Sequence, residues 1–146
     1  NELTIGVLSQ INGCAAGSIL LRRTFQNMLS VHDRSQEHLI SSGSSQGEFY
    51  RDKAAEDAAM RIADAVGSTG PLNIQCRLKN GVIMPFEINP RFSASTFLRT
   101  LAGVNEVSLY LNHLISGRDI DYPEPKEGLA LRSFAECFVP TDTDLR

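Results

Sequence analysis

Two runs of alternating apolar residues flank the tripeptide Lys79-Asn80-Gly81, and this pattern constrains the fold more than any other feature of the chain. Leu72, Ile74, Cys76 and Leu78 alternate with Asn73, Gln75 and Arg77; Val82, Met84, Phe86 and Ile88 alternate with Ile83, Pro85, Glu87 and Asn89. A period of two is that of a strand, and Asn-Gly between two such runs signals a hairpin. Opposed residues of an antiparallel ladder point to the same face. If the even-numbered residues are core on both strands, even must therefore pair with even, which a two-residue turn does not allow. The pattern predicts a three-residue loop, Lys79 to Gly81, with Gly81 left-handed in a bulge. Leu78 then opposes Val82 and Asn73 opposes Glu87.

That register collects Asn73, Gln75, Glu87 and Asn89 into one oxygen-rich patch, with Gln75 diagonally beside Glu87. Magnesium takes few oxygen ligands from protein and completes its shell with water and phosphate, so one carboxylate with two carboxamides suits it. Arg91 follows at the strand end, where a guanidinium can hold phosphate oxygens in a fork, and Ser93 and Ser95 add hydroxyl donors. An ordinary solvated sheet face has the same pattern, and periodicity alone does not separate the two.

Leu3, Ile5 and Val7 alternate with Glu2, Thr4 and Gly6 in a predicted half-buried strand, and a turn from Ile11 to Gly17 leads to a second, antiparallel strand over Ser18–Phe25. It carries Arg22 and Arg23, of which at most one can face inward. Gln26 to Gln46 is polar and aperiodic, and Ser41–Gly47 is rich in loop formers. Ala55, Ala58, Ala59, Ile62 and Val66 recur at helical spacing and Gly67 supplies a stop. A short helix is expected over Ser95–Leu101. A longer one, capped by Asn105 and closed by Gly117, carries Val107, Leu111, Leu114 and Ile115 against the sheet. Leu129–Val139 reads as a last strand. The order β-β-α-β-β-α-α-β indicates an α+β fold, a mainly antiparallel sheet with helices packed on one face.

The 146 residues suffice for one core, and the chain is expected to be a single domain over residues 1–146. A net charge of −3 without a basic stripe argues against nucleic acid as a partner. No apolar run approaches the roughly 20 residues of a membrane span, and the start lacks signal-peptide character, so a cytoplasmic protein is expected. Cys14, Cys76 and Cys137 have no CxxC spacing and are expected to be reduced. His32, His38 and His113 have no metal-ligand spacing. The chain opens directly on a strand, as a piece of something longer does.

Gly70-Pro-Leu-Asn-Ile-Gln75 followed by Phe86-Glu-Ile-Asn-Pro-Arg-Phe-Ser-Ala-Ser95 resembles the metal and phosphate motif of ATP-grasp enzymes, in particular the branch of the carbamoyl-phosphate synthase large subunit. The likeness runs from Glu2 to about Gly117 and implies the C-terminal part of an ATP-grasp domain. It implies that Gln75, Glu87 and Asn89 bind the magnesium or manganese ions bridging the phosphates of ATP, and that Arg91 contacts the transferred phosphoryl group. Asn73 would support this site. Glu2 resembles an acidic residue near the ribose and an associated cation, and Ser44 lies in a loop resembling one directed at the triphosphate.

The implied reaction is ATP-dependent joining of a small-molecule carboxylate to an amine or other nucleophile through an acylphosphate. The resemblance leaves room for a homodimer. Ala94 departs from the glycine common at that point. The family's preceding substrate domain and the lysine-bearing first half of the cleft have no counterpart here, so this fragment alone is expected to be inactive. A non-catalytic nucleotide sensor or assembly module, and a structural domain with a polar hairpin, are the competing readings.

Overall fold

The computed structural model describes residues 2–23 and 47–131. Within them, β1 (Glu2–Ser9), β2 (Ala15–Arg23), β3 (Gly47–Phe49), α1 (Lys53–Ala65), β4 (Pro71–Lys79), β5 (Val82–Asn89), α2 (Thr96–Leu101), α3 (Glu106–Ser116) and β6 (Gly128–Ala130) follow in order. The strands form one antiparallel sheet in the order β5-β4-β1-β2-β3-β6. The α+β class and the antiparallel sheet are as the sequence indicates. The pattern did not reveal β3, whose three residues are too few to show a period. Residues 41–46 of the polar loop, Ser44 among them, and residues 132–139 of the last expected strand lie outside the described residues, as do His32, His38 and Cys137.

Beside β4, β1 occupies the middle of the sheet, and its residues from Leu3 to Ser9 are buried on both faces rather than one. Leu3, Ile5 and Val7 join Leu20, Leu72, Ile74, Cys76 and Ile83 against Ala55, Ala59 and Ala63 of α1. The alanine stripe repeats every four residues and lets the helix approach closely, while Asp52 caps it by accepting from the N–H of Ala55 at 3.1 Å. On the opposite face Ile19, Leu21 and Phe49 pack against Leu98, Ala102 and Val104 at α2. The helices therefore divide between the two faces, which corrects the expectation that one face carries them all. The reason is visible in β2, where Leu20 and its neighbours Ile19 and Leu21 are all apolar and fully buried.

Contrary to expectation, Val107, Leu111, Leu114 and Ile115 of α3 are exposed; its buried residues are Glu106 and His113, and Leu109 is half-buried against the cluster at α2. Polar anchoring adds to the apolar contact of Leu109. His113 accepts from the N–H of Ile11 at 3.0 Å through Nε2, and its Nδ1 meets the carbonyl of Arg118.

The hairpin departs from the predicted register. Lys79 opposes Val82 across a two-residue turn, in which Asn80 (φ 51°) and Gly81 (φ 76°) are both left-handed. Leu78 opposes Ile83 and Cys76 opposes Pro85, so Ile83 joins the α1 core while Val82 and Met84 are exposed. A bulge at Phe86 then shifts the ladder by one residue, and Gln75 opposes Glu87 directly, with Asn73 opposite Asn89. The odd residue required by the pattern is present, in the strand instead of the loop. As an edge strand β5 tolerates both the bulge and Pro85, which has no N–H to give.

Cys76 is fully buried and Cys14 exposed. Burial, with a smaller contribution from the Glu2 carboxylate, pushes the Cys76 thiol up to about 11 from the ordinary 9.0. Because the folded state favours the neutral thiol, this contribution to stability is complete below pH 9 and is lost as pH rises through 11. In a maleimide pulse at pH 8 mapped by peptide mass, Cys14 is expected to label at once and Cys76 only in denaturant. Equal labelling of the two would contradict the packing.

Candidate functional site

The polar residues singled out in the sequence come together on the α2–α3 face of the sheet, at its β5-β4-β1 end. Across the β1–β4 ladder Thr4 opposes Gln75 and Gly6 opposes Asn73; across the β4–β5 ladder Gln75 opposes Glu87 and Asn73 opposes Asn89. Opposed residues share a face, so Glu2, Thr4, Asn73, Gln75, Glu87 and Asn89 form one polar field.

A continuous chain of hydrogen bonds crosses this field. Arg23 Nη1 donates to Glu2 Oε1 at 2.8 Å and to Gln75 Oε1 at 3.4 Å. Gln75 Nε2 donates to Glu87 Oε2, and Asn89 Nδ2 donates to Glu87 Oε1 at 2.9 Å. Glu2 is therefore tied into the site through Arg23 and is not simply solvated. Of the two adjacent arginines Arg23 is the inward one. Arg22 lies over the ring of Tyr50, 4.1 Å from its centroid, and pairs with Glu48 at 3.0 Å.

Behind the field lies a buried ionic cluster. Arg99 of α2 and Glu106 of α3 are 1% exposed each and pair at 3.0 and 3.2 Å. Arg99 Nη2 donates to Asn73 Oδ1 at 2.8 Å, and Thr4 Oγ1 donates to the same oxygen at 2.9 Å. Asn73 is thus buried in support of the hairpin. Gly6 opposes Asn73 because any side chain there would overlap Arg99 and Glu106.

At the end of β5 the N–H of Arg91 donates back to the carbonyl of Asn89 at 2.9 Å across Pro90, a tight turn that directs the chain away from the sheet. The Arg91 side chain is exposed, donates to the carbonyl of Phe92 at 2.9 Å, and has no carboxylate partner among the described residues. Ser93 is used locally: its hydroxyl meets Ser95 Oγ at 2.9 Å and accepts from the N–H of Ser95 at 3.1 Å. Its own N–H donates to Thr96 Oγ1 at 3.1 Å, which fixes the entry to α2.

Thr4, Arg23, Arg99 and Glu106 were not anticipated as members of this cluster. One signal was present: an isolated glycine in the interior of β1, at Gly6, marks a close approach by something bulky. Arg99 and Glu106 themselves sit at positions where charge on a helix is normally solvated, so composition gave no sign of their burial.

The donor set fits a hard cation. Glu87 is an exposed carboxylate flanked by two carboxamides on adjoining strands, with a phosphate-sized cation, Arg91, beyond. These two neutral N–H groups occupy the Glu87 oxygens; were a cation to take their place, Gln75 and Asn89 would have to present their oxygens. Among the described residues no group of three or more His, Cys, Asp or Glu side chains could hold a metal, so the amides are essential to any such site.

Residues 21–137 match a family model described as ATP-grasp in the biosynthetic pathway with Ter operon. The matched span contains every residue of the cluster except Glu2 and Thr4. No curated protein matches the chain.

Substituting Gly6 by alanine is expected to separate Arg99 from Glu106 and leave buried charge uncompensated, a cost of about 3–5 kcal/mol. Urea unfolding measures it, and an unchanged midpoint would contradict the close approach at β1.

Proposed function

The chain belongs to this ATP-grasp family, and we propose that it supplies the cation- and phosphate-binding hairpin of an ATP-dependent ligase joining a carboxylate to an amine or related nucleophile. The observation that carries this reading is the direct opposition of Gln75 and Glu87, with Asn89 on the same carboxylate and Arg91 exposed just beyond. A merely solvated sheet face has no need of a bulge that brings these side chains together. The finer likeness to the carbamoyl-phosphate synthase branch rests on the hairpin motif alone.

In this reading Gln75, Glu87 and Asn89 hold magnesium or manganese, which when bound offsets the negative charge of the ATP phosphates. Arg91, free of any carboxylate among the described residues, turns its guanidinium to the transferred phosphoryl oxygens. The carboxylate substrate attacks the γ-phosphorus, giving an acylphosphate and ADP. The nucleophile then attacks the acyl carbon and phosphate leaves. No residue of this chain forms a covalent bond; its contribution is fixed charge and orientation. Glu2 acts with Arg23 at the flank of the site and Asn73 from beneath it, while Ser44 serves the triphosphate and Ser93, bonded to Ser95 and Thr96, holds the entry to α2 just beyond Arg91.

In the full-length protein, Glu87→Gln and Arg91→Ala are each expected to lower ATP-dependent ADP release by about a hundredfold or more. Both side chains are exposed, so circular dichroism and melting temperature should stay at wild-type values. Wild-type turnover in both variants would sink the assignment. Magnesium-dependent ATP binding without ADP release, across candidate acceptor acids and amines, would favour the sensor.

A further inference from the structure

Buried beneath the site is a charge that the proposed chemistry does not use. Arg99 is the largest fully buried side chain among the described residues, and it spans two interactions. One arm meets both oxygens of Glu106; the other reaches Asn73 Oδ1 at 2.8 Å. Thr4 Oγ1 donates to that oxygen as well, at 2.9 Å.

A carboxamide oxygen has two lone pairs and its nitrogen two hydrogens. With Arg99 and Thr4 both donating to Oδ1, the acceptor side of Asn73 is committed to the interior. Asn73 directly opposes Asn89 on the neighbouring strand, whose Nδ2 in turn donates to Glu87. The orientation of one buried amide therefore bears on the row that faces ligand. Glu106 makes this arrangement tenable: a guanidinium buried with only a neutral amide would be strongly disfavoured.

We propose that Arg99, neutralised by Glu106, is a positioning residue: with Thr4 it occupies Asn73 Oδ1 and leaves Asn73 only its Nδ2 hydrogens with which to meet a ligand. Asn73 is thereby a hydrogen-bond donor to an anionic oxygen and not a fourth metal ligand. The orientation stands on geometry alone, whereas its consequence for ligand rests on the magnesium-nucleotide reading above.

The test uses the full-length protein and two readouts. In Arg99→Met/Glu106→Leu the pair is replaced by apolar groups of similar size, an exchange that often preserves or raises stability. Arg99→Lys, which keeps the charge but lacks the fork, is the second variant should the first not fold.

The first readout is the Asn73 side-chain amide signal in NMR spectra without ligand, assigned by its loss in Asn73→Ala. Wild type should give an NH₂ pair dispersed from random-coil shifts, and both Arg99 variants a pair averaged toward them. The second readout is Mg-ADP affinity. Arg99→Met/Glu106→Leu should weaken it about tenfold, the scale of one hydrogen bond to a charged oxygen. In an Asn73→Ala background the same replacement should have no further effect.

An unchanged amide signal in a folded Arg99 variant overturns the positioning role. So does a loss of affinity that persists in the Asn73→Ala background, since Arg99 would then act by another route. Absence of Mg-ADP binding in the wild type, with the amide signals behaving as expected, overturns the nucleotide reading and leaves the positioning role supported.

Discussion

The site depends on one extra residue in an edge strand. With a two-residue turn at Asn80-Gly81, an unbroken ladder would set Gln75 against Phe86, and Glu87 and Asn89 would point to the α1 side. The bulge at Phe86 reverses the parity of the strand beyond it. Before the bulge, Ile83 faces α1 and fills the core; after it, Glu87 and Asn89 face the opposite side beside Gln75 and Asn73. A single strand thus contributes core at one end and polar ligands at the other. Such a change of allegiance suits an edge, where only one ladder must accommodate the mismatch.

The helices on the site face are held by apolar contact and oriented by charge. Leu98, Ala102 and Val104 form a cluster with β2 and β3 on which Leu109 of α3 packs, while α3 also turns Glu106 and His113 inward and exposes Leu111 and Leu114. The Arg99–Glu106 pair therefore joins α2 to α3 and, through Asn73, both to the middle of the sheet. A pair of this kind is weak evidence for stability, because desolvation consumes much of its attraction. Its directionality is another matter. Leucines tolerate sliding, whereas a guanidinium shared between a carboxylate and an amide fixes helix, sheet and side-chain orientation at once.

What was legible in the sequence follows from the range over which each signal acts. Alternation in β4 and β5, the Asn-Gly turn, the alanine stripe of α1 and the caps at Asn105 and Gly117 are local, and the structure contains them. Grouping of the site residues on one face was legible too, since parity demanded an odd residue somewhere near the turn. Its location was not: loop and bulge satisfy the same parity, and they differ in whether Val82 and Met84 or Ile83 is core. Long-range choices lay beyond reach for a related reason. Nothing local says that Arg99 meets Glu106 and Asn73, or that Arg23 and not Arg22 turns inward. Only Gly6, a gap in an otherwise bulky strand, recorded the approach of another element.

The placement of the polar side chains also divides them by rigidity. Gln75 and Asn73 stand on β4, which is paired on both sides, while Glu87, Asn89 and the turn to Arg91 belong to an edge strand paired on one side only. Edge segments open more readily than central ones. The proposed site thus has a fixed wall on β4 and a more yielding one on β5, where the carboxylate lies. Were a metal to take the place of the amide donors on Glu87, Asn89 would have to turn its carboxamide and Gln75 to give up the contact of its oxygen with Arg23, whereas Asn73 stays held by Arg99 and Thr4. The cluster thereby sets Asn73, whose oxygen is held by two buried donors, apart from Gln75 and Asn89 at the exposed carboxylate, within a row of chemically similar side chains.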